Sequence, residues 1–151
     1  MWHTVFIVLH AALGVVAFAA GCRALRHSRA LGTYWGSLLG MAGFLVLAVA
    51  VEWRVLDPAT RVVFGALVVL AVVMVARGWA AWRLQRMAAP SGRSFDHVGF
   101  TLVSLFDAFV VVTVLNAGAP GWLIAATGVV VGVAGHFVLV AVRRRVVPAV
   151  G

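Results

Sequence analysis

Asp107 is the single acid in the eighteen-residue run from Val98 to Leu115, whose other members are apolar or small. A carboxylate in such a run needs a partner, because a charge held at the centre of a bilayer costs about 3 kcal/mol even on a lenient insertion scale. The chain has five histidines, and His10 is the foremost partner. Imidazole beside a carboxyl could relay protons or hold a small cationic or hydrogen-bonding ligand. The same pair could serve only as a polar clasp between two helices, since interhelical hydrogen bonds are ordinary membrane glue. His27, Arg77, His97 and His136 are the secondary candidates.

A second chemistry is b-type haem, ligated axially by histidines on facing helices, with the chain acting as an electron carrier. No cofactor is expected on the leading reading, and haem b is the alternative. Catalysis ranks last. The chain has no glycine-rich phosphate loop between strand and helix, no HExxH and no serine in a nucleophile-elbow context. Ser104, one turn from Asp107, reads as a helix serine bonded back to its own backbone. Cys22 is the only cysteine, so no intrachain disulfide and no Cys-based zinc site can form, and a metal role is unknown.

The elements that must position these groups are set by composition. With 64% hydrophobic and 11% charged residues and a mean hydropathy of +1.11, the 151 residues lie far outside the range of water-soluble domains. A span needs about 20 apolar residues. The expectation is therefore one all-α domain, an integral membrane bundle of five transmembrane helices over about 2–22, 34–51, 58–82, 98–116 and 122–142.

The net charge of +8 comes from twelve Arg without Lys. Arg23, Arg26 and Arg29 follow the first apolar run, Arg83, Arg86 and Arg93 the third, and Arg143, Arg144 and Arg145 the last. Basic clusters alternating with neutral turns form the positive-inside pattern, which argues against nucleic acid and for a cytoplasmic (cell) membrane. The same clusters can hold anionic lipid headgroups. Trp2, Trp53 and Trp122 mark one headgroup level, and Tyr34, Trp35, Trp79 and Trp82 the other. The N-terminus is thus expected outside and the C-terminus in the cytoplasm. Ala19-Ala20-Gly21-Cys22 loosely resembles a lipoprotein cleavage site, but no basic residue precedes the apolar run, so the first segment is read as an uncleaved span.

Along the chain, His10, Gly14, Ala17 and Gly21 share one face of the first helix, and small residues there admit a close neighbour. Gly32, Gly36, Gly40 and Gly43 form a stripe on the second, for packing within the bundle or for a homo-oligomer. Asp57-Pro58 marks the start of the third helix. Arg77 is close enough to the cytoplasmic end to snorkel. Ala88 to Ser94 reads as a loop, with Ser94 as cap of the fourth helix and Asp96 in its first turn. Asn116 to Gly121 reads as a tight turn, and Gly128, Gly132 and His136 share a face of the fifth helix. At about 1.5 Å per residue from the outer ends, His10 lies about 12 Å deep and Asp107 about 13 Å, so the two can meet. Arg77 and His136 fall at about 25 Å, which separates His10 from His136 as an axial haem pair and leaves His27 or His97 with His136 as the pairing open to haem.

The stretch from His10 to Trp35, H-x3-G-x6-G-C-R-A-L-R-H-S-R-A-L-G-T-Y, resembles a group of small uncharacterised bacterial multi-pass membrane proteins. In that group a first-helix His and spaced glycines are followed by a basic loop with His, then Leu-Gly and an aromatic opening the next helix. Arg77-Gly78-Trp79 through Arg83 is similar to its Gly-Trp and basic end of the third helix. The likeness covers about the first half of the chain. It implies that His10 and His27 are positions of interest and implies no chemistry; Asp107 and His136 lie beyond it.

Overall fold

The structure, a computed structural model, describes residues 2–25, 27–87 and 92–146. Among these it is all-helical: α1 (Trp2–Ala24), a 3-10 turn (Ser28–Ala30), α2 (Leu31–Glu52), α3 (Pro58–Met87), α4 (Gly92–Asn116) and α5 (Gly121–Val146). All five long helices have the length and apolarity to cross a membrane. Each continues to or beyond the limits expected from the apolar runs, because a helix does not stop where hydropathy falls if its backbone bonds remain satisfied. Arg26 and the loop residues Ala88, Ala89, Pro90 and Ser91 lie outside the described residues.

Short connections make consecutive helices antiparallel neighbours. One end of the bundle carries the Arg clusters and is here the basic end. At the opposite end, Asp57 caps α3 as its sequence suggests. Its Oδ1 accepts from the Thr60 amide at 3.1 Å, and its Oδ2 accepts from the Thr60 hydroxyl. The turn between α4 and α5 closes as a Schellman motif: the Ala119 amide donates to Val114 O at 3.3 Å and the Gly118 amide to Leu115 O at 3.0 Å. Gly118 has φ +78°, a left-handed conformation that glycine adopts without steric cost.

The packing centre is Tyr34. It was expected at the headgroup level, but it is fully buried, because two glycines make room for its ring. A Cβ on Gly21 of α1 would come within 3.0 Å of that ring, and one on Gly78 of α3 within 3.6 Å. Leu38, Leu102, Val98, Met74 and Ala17 complete this core of α1 to α4. Beside it, Trp35 stacks on Trp82 with ring centroids 5.5 Å apart. On the opposite seam, Gly40 of α2 receives Leu13 of α1 and Gly14 of α1 receives Met41 of α2. Gly32, Gly36 and Gly43 meet no atom within 4 Å, so most of the α2 stripe is left uncovered.

The helix α5 packs on α4 and against no other helix to a comparable extent. Its seam is knit by Gly99 against Leu139, Val103 against Gly135, and Asp107 and Val111 against Gly128. Large apolar side chains lie outward on every helix, among them Val15 (70%), Val62 (73%), Phe109 (70%) and Phe137 (67% exposed). The polarity of a water-soluble protein is thereby inverted.

Candidate functional site

The foremost sequence candidates are not joined. His10 Nδ1 lies 2.9 Å from Met41 O, across the α1–α2 seam. A carbonyl only accepts, so Nδ1 donates this bond. Asp107 sits on the other side of the molecule, on the face of α4 that meets α5. Its carboxylate oxygens lie 3.8 and 3.9 Å from where a Cβ on Gly128 would stand, and its buried Oδ1 has no hydrogen-bond partner. The expected His10/Asp107 pair is therefore corrected. α1 approaches α4 through Gly21 against Leu102, on a different face of α4 from Asp107.

The remaining candidates separate in the same way. His136 is exposed on α5, its ring edge-on to Phe137 at 6.1 Å, because Gly128 alone of that face turns into the seam while Gly132 meets nothing within 4 Å. His27 is exposed beyond the end of α1. No hydrogen bond links any two histidines among the described residues. His10 on the α1–α2 seam and exposed His136 on α5 do not face one another. Arg77 does not snorkel away from the bundle: its guanidinium lies 4.2 Å from the centroid of Phe100 on α4, a cation–π contact in a half-buried place. Asp96 is not in the first turn of α4, which begins at Gly92; it pairs at 3.1 Å with Arg143 on α5. Ser94 lies inside the helix and is buried, so it is not the residue that precedes and caps it.

His97 is the candidate that gains a setting. Its Nδ1 is buried without a hydrogen-bond partner, and its carbonyl accepts from the Thr101 hydroxyl at 3.0 Å. Thr101 is fully buried. The Tyr34 hydroxyl faces it, without forming a well-made hydrogen bond. Ser37, Ser94 and Ser104 are buried as well. A set of polar side chains thus lies in the basic-end half of the bundle, with unsatisfied atoms on Tyr34, Trp35 and His97. Taken singly in the sequence, Ser94 reads as a cap and Ser104 as a back-bonded helix serine, and neither points to the others. Their signal was the spacing Ser94, His97, Thr101, Ser104 and Asp107, which recurs every three or four residues and descends α4 about one turn at a time.

One further contact and one groove lie outside the sequence expectations. His3 Nδ1 on α1 lies 3.2 Å from Glu52 Oε1 on α2, without the geometry of a hydrogen bond, at the end opposite the Arg clusters. At the basic end, an open groove of 680 Å³ lies between α1, α4 and α5. Among the described residues no three histidine, cysteine or acidic side chains are grouped to hold a metal ion. No family model matches the chain, and no curated protein or solved structure matches it significantly.

Proposed function

We propose that this chain is a non-enzymatic, multi-pass protein of a bacterial-type cytoplasmic membrane that handles protons through Asp107. The supporting observation is the buried Oδ1 of Asp107, set in the middle of an apolar helix against a glycine and left without a partner. Ionisable groups inside a membrane commonly mark ion or proton pathways, since their retention there is costly. A carboxyl in this position exchanges its proton only when water or another ionisable group reaches it. Below it on α4, Ser104, Thr101 and His97 supply hydroxyl and imidazole groups toward the basic end. Ordered water could bridge the gaps between them. The membrane setting draws support from the exposed apolar side chains on all five helices, and the N-out, C-in threading from the grouping of Arg at one end.

The test is proton flux into vesicles reconstituted with the purified chain, driven by an imposed potential and read with an enclosed pH dye. Wild type should exceed empty vesicles, and Asp107→Asn, which keeps shape and polarity, should fall to the empty-vesicle rate. Equal flux in the two proteins would end the proposal. His10→Ala should retain the flux, because His10 faces a different seam.

A further inference from the structure

We infer that the basic-end groove between α1, α4 and α5 is a seat for one anionic phospholipid, an inference that rests on the membrane reading above. The groove has apolar walls, Ala19 on α1, Phe95 on α4 and Val142 on α5, and a basic rim, Arg23 and His27. Its 680 Å³ falls in the range of sites that hold discrete small molecules.

Charge complementarity selects the headgroup. Arg23 forms no ion pair among the described residues, and His27 is exposed. The nearest acid along the chain from Phe95 is Asp96, and it is already bound to Arg143 at 3.1 Å. The rim therefore presents uncompensated positive charge, and Arg offers a planar fork that matches phosphate oxygens two at a time.

The walls select a lipid over a free phosphate. Val15, Val16 and Phe18 are exposed on α1, as Val138 and Val142 are on α5, so the walls of the groove run into surfaces that would meet acyl chains. A free anion gains nothing from Phe95 or Val142, whereas a lipid buries its glycerol and upper chains there while its phosphate meets Arg23.

Cys22 lines the groove, is exposed and is the only cysteine, so the unaltered chain carries its own reporter. Native mass spectrometry of the detergent-purified protein, offered equal phosphatidylglycerol and phosphatidylcholine, should show one retained phosphatidylglycerol with about a fivefold preference for each Arg engaged. Arg23→Gln with His27→Gln should abolish the preference, and Arg54→Gln at the opposite end should keep it. In wild type, Cys22 alkylation by a maleimide should be slowed by phosphatidylglycerol and unchanged by inorganic phosphate; this arm needs no variant. Equal retention of both lipids, protection by phosphate alone, or an equal effect of Arg54→Gln would overturn the inference while leaving membrane insertion intact. Release of the chain from membranes without detergent would instead overturn the membrane reading itself.

Discussion

The His10 ring is engaged with Met41 O on one seam while Asp107 faces Gly128 on another, so substitutions at the two should act independently. His10→Ala removes one interhelical hydrogen bond and should cost about 1 kcal/mol. Combined with Asp107→Asn, the effects should add to within about 0.5 kcal/mol when unfolding is titrated in mixed micelles. A coupling of several times that size would restore the direct pair. Gly118 makes a sharper prediction, since its left-handed φ of +78° belongs to the turn that ends α4. Gly118→Ala should cost about 1–2 kcal/mol in the same titration, and an unchanged midpoint would show that the turn relaxes freely.

Between helices, the decisive feature is which glycines are covered. A Cβ on Gly135 would collide with the Val103 side chain, a β-branched group with little rotamer freedom, so Gly135→Ala should destabilise by about 1–3 kcal/mol. Gly132 meets nothing within 4 Å, and Gly132→Ala should be neutral to stabilising. The reverse order of these two variants would mean that α5 docks through a different face. The number of helices and the turn at Asn116 to Gly121 were legible in the sequence, because helix length, apolar runs and turn chemistry are local properties. Which faces meet was only partly legible. Gly14 and Gly21 lie against neighbours as their spacing implied, but Gly32, Gly36 and Gly43 do not, and nothing in the sequence marked Gly78, Gly99 and Gly135 as packing positions. The site follows the same division. Rise per residue speaks only to depth along a helix, whereas azimuth depends on which neighbour each helix chooses, and it is the azimuth that puts His10 and Asp107 on different seams. Tyr34 misled for a related reason: an aromatic near a helix end reads as an interface anchor unless the glycines opposite it are known.

For the whole molecule, α1 to α4 surround a common core and α5 lies outside it against α4. The Asp107 carboxyl is consequently at the α4–α5 seam near the lateral surface of the bundle and not at its axis, so a partner helix has a short route to it, whereas water must come along the seam from an end. The uncovered stretch of α2 at Gly32, Gly36 and Gly43 leaves room for a second copy. If that stripe is an oligomer face, Gly36→Leu should leave the unfolding midpoint within about 0.5 kcal/mol while shifting the chain to monomer on a detergent-exchange column. An unshifted elution volume would assign the stripe to lipid. The central claim is that all these helices stand in a bilayer with the Arg-rich end facing the cytoplasm. Cys22, exposed at that end, tests it most directly by its reaction with a membrane-impermeant maleimide in intact cells and in inverted membrane vesicles. Labelling in the inverted vesicles and none in intact cells is the predicted result; labelling in intact cells, with inverted vesicles protected, would contradict it.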